Sequence, residues 1–167
     1  MASNLKNLSV YNKKSILSAK DMLIGIVVSE WNSKITEALY KGALDTLTEN
    51  GMNKSNIITK YVPGSFELPL GAQLIIENTD VDAVICLGCV IQGETRHFEF
   101  ISQAVAHGIS KVALEYNIPV IFGVLTTDTI QQAKDRSGGK HGNKGVEAAI
   151  TAIKMVQLSD ELLEGKE

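Results

Sequence analysis

Residues 22–29 read MLIGIVVS, a nearly continuous apolar run with β-branched side chains, and this run decides the fold class. Such a run is typical of a strand that is covered on both faces in a parallel sheet. The segment that follows, residues 32–51, has apolar side chains at helical spacing, namely Ile35, Leu39, Ala43 and Leu47. Asn32 or Ser33 can cap the start of this helix, and Gly51 can end it. Together the two segments predict the first strand–helix unit of an α/β fold.

The same alternation continues along the rest of the chain. Further strands are predicted at 57–62, 83–91 and 120–126, and helices over 67–78, 98–116, 129–136 and a C-terminal segment containing Val146, Ala149, Ile150 and Ile153. The order is βαβαβαβαα. Because parallel strands joined by right-handed crossovers need helices on both faces, it predicts a flavodoxin-like three-layer α/β/α sandwich around a four-stranded parallel sheet. We expect one domain over residues 22–167, preceded by an N-terminal arm over residues 1–21.

Length and composition exclude several classes of protein. A chain of 167 residues fits one domain, and 44% hydrophobic residues are enough to build its core. With 16 Lys and Arg against 19 Asp and Glu, the net charge of −3 lacks the positive field that nonspecific nucleic-acid binding needs. No apolar run approaches the ~20 residues of a membrane span, and the N-terminus lacks the apolar stretch of a signal peptide. We therefore expect a cytoplasmic protein that binds neither nucleic acid nor membrane.

Cys86 and Cys89 have the C-x-x-C spacing of a dithiol redox centre. Redox pairs of this kind lie at a helix N-terminus, where the helix dipole lowers the thiol pKa. Here both cysteines fall inside a predicted strand, and residues three apart on a strand point to opposite faces. The favoured interpretation is two buried core cysteines.

The glycine-rich segment SGGKHGNKG, residues 137–145, suggests a phosphate-binding loop at first sight. It does not fit GxxxxGK[ST], and it follows a short helix rather than a strand. The first strand is not followed by GxGxxG either, so both nucleotide-binding patterns are missing. We expect a flexible connection between two helices, in which Lys140 and Lys144 either bind an anion or only solvate the loop.

The loops after the predicted strands carry the residues most suggestive of function. In open parallel sheets, ligands bind outside the carboxyl ends of the strands. The first such loop holds Trp31, the only tryptophan in the chain, and the second runs from Pro63 to Glu67. The alternatives are a tryptophan that packs in the core and a Glu67 that only complements a helix dipole.

The third loop, residues 92–97, reads QGETRH and opens a helix. Free backbone amides at a helix start, the Thr95 hydroxyl and the nearby Arg96 form a candidate phosphate site. His97 is placed there for proton transfer. The alternative is an ordinary helix cap followed by a solvated histidine.

Four segments in order and spacing resemble one enzyme family. They are GIVVSEWNSKITEALYKGAL (25–44), VPGSFELPLGAQ (62–73), CLGCVIQGETRHFEFI (86–101) and PVIFGVLTTDTIQQAKDRSGGKHGNKGVEAA (119–149). Over residues 22–158 the chain resembles the 6,7-dimethyl-8-ribityllumazine synthase family, which acts at the penultimate step of riboflavin biosynthesis. The resemblance implies condensation of 5-amino-6-(D-ribitylamino)uracil with 3,4-dihydroxy-2-butanone 4-phosphate, with release of phosphate and water and without a metal or organic cofactor.

The resemblance also implies roles for individual residues. His97 matches the proton-transferring histidine, Trp31 the aromatic residue that stacks on the pyrimidine, and Arg136 the phosphate-binding arginine. The other substrate-binding positions that it implies are Asn32, Ser65, Phe66, Glu67, Cys89, Val90, Ile91, Glu94, Thr95, Phe122 and Lys140. Trp31 stands where many members have phenylalanine, and Arg96 where many have a smaller residue or proline.

The positions of Phe122 and Arg136 bear on assembly. Phe122 lies near the start of the fourth predicted strand and Arg136 at the far end of the next short helix, so we expect both towards the edge opposite the crevice. Arg136 would then meet a phosphate beside His97 only from a neighbouring subunit. The resemblance likewise implies a homopentamer with active sites between subunits. In some members the pentamers assemble into an icosahedral shell, and riboflavin synthase is a candidate partner.

Three other functions remain to be weighed at this point. A flavodoxin-like electron carrier would share the fold, but its first loop should be rich in Ser, Thr and Gly, and SEWNSK (29–34) has no glycine. A response-receiver domain would need clustered acidic residues after the first strand and an aspartate after the third, where this chain has Glu30 and Gln92-Gly93-Glu94. A shell protein without catalysis would have no need of His97 and Arg136.

Overall fold

The computed structural model describes residues 18–165, with the side chain of Glu164 excepted. Most of the expected N-terminal arm, residues 1–17, lies outside the described residues. The strands are β1 (Ile24–Ser29), β2 (Ile57–Val62), β3 (Ala83–Ile91), β4 (Val120–Thr127), β5 (Ser137–Gly139) and β6 (Gly142–Asn143). The helices are α1 (Ser33–Glu49), α2 (Leu68–Asn78), α3 (His97–Tyr116), α4 (Ile130–Asp135) and α5 (Lys144–Glu164), with 3-10 turns at Lys54–Asn56 and Ser65–Glu67.

The four long strands form one parallel sheet in the order β2-β1-β3-β4. The chain passes from β1 outward to β2 and then crosses back to β3 on the other side of β1. This reversal is a topological switch point, and it opens a crevice at the carboxyl ends of β1 and β3. The predicted flavodoxin-like α/β/α sandwich with a four-stranded parallel sheet is confirmed.

The sheet separates two hydrophobic cores. On one face α1 and α5 bury Leu39 and Ile153 against the sheet, and on the other α2 and α3 bury Leu68 and Val105. Cys89 belongs to the first core and Cys86 to the second, and both are free thiols. The prediction that these cysteines are core residues on opposite faces is confirmed.

The glycine-rich segment differs from its prediction. Instead of a flexible connection, residues 137–143 form the small antiparallel hairpin of β5 and β6, which packs on α1. The Asn143 side chain donates to the Ala38 carbonyl at 2.9 Å and accepts from the Gly145 amide at 2.8 Å. A Cβ atom added at Gly145 would lie 1.9 Å from the Leu39 carbonyl oxygen. The absence of a side chain at Gly145 therefore allows α1 and α5 to cross closely.

Candidate active site

A cleft of about 430 Å³ lies at the carboxyl ends of β1 and β3. Its walls come from the loops after β1, β2 and β3 and from the first turns of α3. The lining residues are Trp31, Asn32, Gly64, Ser65, Phe66, Cys89, Val90, Ile91, Gly93, Thr95, His97, Phe98 and Ile101. The structure therefore brings together nine of the fourteen residues that the sequence singled out.

Two large aromatic side chains stand exposed at the cleft. Trp31 is 73% exposed and Phe66 57% exposed, so neither is a core residue. The Trp31 loop is tied to the second strand's loop by backbone bonds from Glu30 N to Val62 O at 2.8 Å and from Trp31 N to Pro63 O at 3.1 Å. Exposed aromatic faces are suited to stacking on a planar heterocycle.

Asn32 occupies the N-cap position of α1 but does not cap it with its side chain. Its backbone is left-handed, with φ 61° and ψ 41°. Its side-chain Nδ2 donates instead to the Cys89 carbonyl at 2.9 Å, across 57 residues of sequence. Asn32 therefore holds the predicted N-cap position, but its side chain makes no capping bond and is directed to β3 instead.

The second loop divides its polar groups between structure and cleft. The Glu67 carboxylate turns back and accepts from the Gly64 amide at 3.0 Å, so it stabilises the start of its own helix. Glu67 is not among the residues that line the cleft. Ser65 lines it, and within residues 18–165 its buried hydroxyl has no hydrogen-bond partner. A buried hydroxyl of this kind is suited to a ligand or a water molecule.

After the third loop, helix α3 begins one residue earlier than the sequence predicts. α3 begins at His97, whose backbone amide donates to the Thr95 hydroxyl oxygen at 3.3 Å. Thr95 and His97 line the cleft, whereas Glu94 and Arg96 are exposed outside its lining. Sequence reasoning missed Phe98 and Ile101 as cleft walls. The sequence contains a signal for Ile101, because a residue four positions after His97 shares its face of a helix.

The thiol of Cys89 is not a nucleophile in this cleft. Burial raises the pKa of Cys89 to about 11 and raises the pKa of Cys86 further above its ordinary value. The two thiols are buried on opposite faces of the sheet, which is unlike a dithiol redox centre, and burial favours their protonated form. Cys89 contributes its backbone carbonyl, which accepts from Asn32.

Arg136 and Lys140 lie around a second cavity, of about 320 Å³, next to Thr126 and Thr127 at the carboxyl end of the edge strand β4. The expectation that Arg136 lies at the opposite edge is therefore wrong: the short α4 leaves it beside the end of β4. The Lys140 ammonium contacts the Asp135 carboxylate at 3.1 Å. The Gln131 amide and then Lys140 lower the pKa of Asp135.

Phe122 lies apart from both cavities, near the start of β4 as predicted. It is 36% exposed beside Lys144, Glu147 and Thr151. Lys144 pairs with Glu147 at 3.0 Å. Within one protomer, then, the structure does not bring Phe122, Arg136 and Lys140 to the cleft that holds His97.

A metal-binding cluster and a membrane-spanning helix are both absent from the described residues. Among the described residues, no three His, Cys, Asp or Glu side chains gather closely enough to hold a metal ion. None of the helices between residues 18 and 165 has the length and apolar character that a membrane span requires.

Comparison with known proteins gives one consistent result. A family model described as 6,7-dimethyl-8-ribityllumazine synthase matches residues 21–160. Among curated proteins, one of that name from Cytophaga hutchinsonii is 61% identical, over 93% of this chain and 98% of its own length. Proteins of the same name from Parabacteroides distasonis and Porphyromonas gingivalis are 54% and 53% identical, over 95% of this chain and 99% and 98% of their lengths.

Proposed function

Because the chain belongs to the 6,7-dimethyl-8-ribityllumazine synthase family, we propose that this transferase of riboflavin biosynthesis condenses 5-amino-6-(D-ribitylamino)uracil with 3,4-dihydroxy-2-butanone 4-phosphate. The products are 6,7-dimethyl-8-ribityllumazine, phosphate and water. The observation that carries the proposal is the cleft itself, which the exposed Trp31 and Phe66 line together with a histidine at a helix start. The buried free thiols of Cys86 and Cys89 suit a reducing compartment such as the cytoplasm.

The cleft suits a flat ring with a polar chain. We assign the pyrimidine ring to the space between Trp31 and the end of β3 at Val90 and Ile91. Aromatic stacking holds such a ring without fixing its hydrogen-bond pattern. The unpartnered Ser65 hydroxyl is available to a polar group of the same substrate, so the ring and its ribityl chain occupy the β1–β3 side of the cleft.

Proton transfer falls to His97 in this proposal. The 5-amino group attacks the ketone to give a carbinolamine, which loses water to form an imine. Phosphate then leaves, and ring closure releases a second water. His97 lines the same cleft and moves protons in the dehydration and phosphate-loss steps. Holding two substrates side by side supplies much of the remaining rate.

The phosphate end of the site needs a second protomer. Thr95 lies at the start of α3, where the positive end of the helix dipole favours an anion. The cationic Arg136 lies in a different cavity on the edge strand of the same protomer. We propose that a neighbour in a homopentamer supplies Arg136, together with Phe122 and Lys140. Larger shells and an association with riboflavin synthase belong to the same proposal.

Turnover of the two substrates tests the reaction directly, through lumazine fluorescence and stoichiometric phosphate release. His97→Ala should slow turnover by roughly 10²- to 10⁴-fold, whereas Arg136→Ala should chiefly raise the KM for the phosphate substrate. His107→Ala is the matched control, since His107 is exposed on α3 and does not line the cleft. Wild-type constants in both site variants would overturn these roles, and an inactive wild-type protein would favour a shell protein without catalysis.

Mixing the His97→Ala and Arg136→Ala variants tests the shared site. If one protomer supplies His97 and its neighbour Arg136, random reassembly of equal amounts restores about a quarter of the sites. If both residues act within one protomer, every site keeps one defect and the mixture gains nothing over its components. Mixing the variants without dissociating them first is the control.

A further inference from the structure

Asn32 joins two walls of the cleft. The loop that carries Trp31 has three anchors. Two of them, from the amides of Glu30 and Trp31, tie the loop to the carbonyls of Val62 and Pro63 on the β2 side. The third is the Asn32 side chain, which donates to the Cys89 carbonyl on β3 at 2.9 Å. Without that amide the Trp31 loop would keep its bonds to the β2 side and to α1 but would lose its side-chain bond to β3.

The backbone of Asn32 supports the same role. Its left-handed conformation, φ 61° and ψ 41°, turns the chain sharply between β1 and α1. Glycine adopts this conformation freely, and asparagine tolerates it better than other residues do. Asparagine supplies both the turn and an amide donor, and the structure directs that donor to β3 rather than to the start of its own helix.

We propose that Asn32 is a positioning residue, which sets the distance between Trp31 and the end of β3 rather than binding substrate through its own side chain. The ring that occupies the space is the one assigned under the proposed function, so this inference rests on it for the identity of the ligand. The donor side of Asn32 is already engaged in the free protein, and its effect on substrate passes through Trp31.

Trp31 offers a direct readout, because it is the only tryptophan in the chain and is 73% exposed. Its fluorescence anisotropy in the ligand-free protein reports nanosecond motion of the loop. Asn32→Gly keeps the left-handed backbone and removes the donor. Asn32→Asp keeps the shape but sets a carboxylate against the Cys89 carbonyl. We expect both variants to lower the anisotropy, Asn32→Asp more than Asn32→Gly.

Kinetics should follow the same pattern. The loss of one hydrogen bond predicts a rise of about threefold to tenfold in the KM for the pyrimidine in Asn32→Gly. The KM for the phosphate substrate should stay within a factor of about two, because that substrate lies at the α3 side. If Asn32 contributed only to folding, its variants would leave the Trp31 anisotropy unchanged. They would also not raise the KM for one substrate alone.

Asn117 gives a matched control. It is the other non-glycine residue with a left-handed backbone in the described chain, with φ 54°, and it lies before β4 at the opposite end of the sheet. Asn117→Gly and Asn117→Asp should leave Trp31 anisotropy and both KM values at the wild-type level.

The outcomes separate this inference from the proposed function. Wild-type anisotropy in Asn32→Gly and Asn32→Asp together with a raised KM would mean that Asn32 binds substrate itself, which overturns the positioning role. Lowered anisotropy with an unchanged KM would overturn it as well, because loop placement would then not govern binding. If the wild-type protein fails to turn over the two substrates, the proposed function falls, and the anisotropy alone still decides whether Asn32 anchors the loop.

Discussion

Alanine at Gly145 should be one of the most damaging single-methyl additions in this protein. The added Cβ would lie 1.9 Å from the Leu39 carbonyl oxygen and 2.7 Å from its carbon. Carbon–oxygen contacts are normally no shorter than about 3.3 Å, so α1 and α5 would have to separate by roughly 1.4 Å. Gly145 does not have a positive φ, so backbone strain is not the cause. The cost comes from contact with main-chain atoms, which cannot rotate away.

The magnitude follows from what the separation breaks. Overpacking costs about 1–3 kcal/mol, and the Asn143 bond to Ala38, which crosses to α1, contributes about 1 kcal/mol. We expect Gly145→Ala to lose about 2–4 kcal/mol of unfolding free energy and to lower Tm by roughly 10 °C. Guanidinium unfolding followed by circular dichroism, at fixed protomer concentration, measures it. Gly93→Ala, with nothing within 4 Å of the added Cβ, is the neutral control.

At Gly42 an added Cβ would meet a side chain, whereas at Gly145 it would meet main-chain atoms. The added Cβ at Gly42 would lie 2.6 Å from the Asn143 amide nitrogen. Alanine gains about 1 kcal/mol over glycine inside a helix, so displacing the Asn143 amide should leave a net loss of only about 1 kcal/mol. In an Asn143→Ala background the clash is absent, and Gly42→Ala should become stabilising by about 1 kcal/mol. Equal destabilisation in both backgrounds would refute the clash with the Asn143 side chain as the cause.

Further predictions concern the cysteines and Trp31. Burial raises the pKa of the Cys89 thiol to about 11, against about 8.5 in an unfolded chain, so the stability that it contributes is complete below about pH 8.5 and is lost as the pH rises towards 11. Unfolding free energy should fall there by up to about 1.4 kcal/mol per pH unit from this group, with a shallower slope in Cys89→Ala; equal slopes would contradict burial as the cause. Neither thiol should react with Ellman's reagent at neutral pH until the protein is unfolded, and labelling of the native protein would contradict the protonated, buried state. Trp31→Phe should keep the KM for the pyrimidine within a few-fold, and Trp31→Ala should raise it roughly 10- to 100-fold, whereas an unchanged KM in Trp31→Ala would remove stacking from the proposal.

The parts of the fold that sequence predicts well are those written in local patterns. The bounds of β2 and β3 agree with their apolar runs, 57–62 and 83–91. The cleft follows from the rule that ligands bind at the carboxyl ends of parallel strands, which places Trp31 and His97 on the same edge from the sequence alone. Local pattern and global topology point to the same residues there.

The missed features depend on partners far away in sequence. Asn32 reaches Cys89 across 57 residues, and Asn143 reaches Ala38 across 105. Neither periodicity nor a cap rule contains such a pairing, so a cap was predicted for the first and a flexible connection for the second. Arg136 was misplaced for a related reason. Helix direction alone places it towards the edge opposite the crevice, whereas a helix of only six residues leaves it near the carboxyl end of β4.

Helix α1 connects the two halves of the proposed shared site. Its first residue follows Asn32, so its start fixes the turn that holds Trp31 at the cleft. The hairpin of β5 and β6, which follows Arg136 in the chain, packs on the middle of α1 at Ala38 and Gly42. One packed helix thus sets the position of the Trp31 loop relative to Arg136 within a protomer. If neighbouring protomers complete each other's clefts, loosening the Asn143 contact to α1 should impair the use of the phosphate substrate, while loosening Asn32 impairs the use of the pyrimidine. Contacts at the start and at the middle of one helix would then affect the two substrates separately in the kinetics.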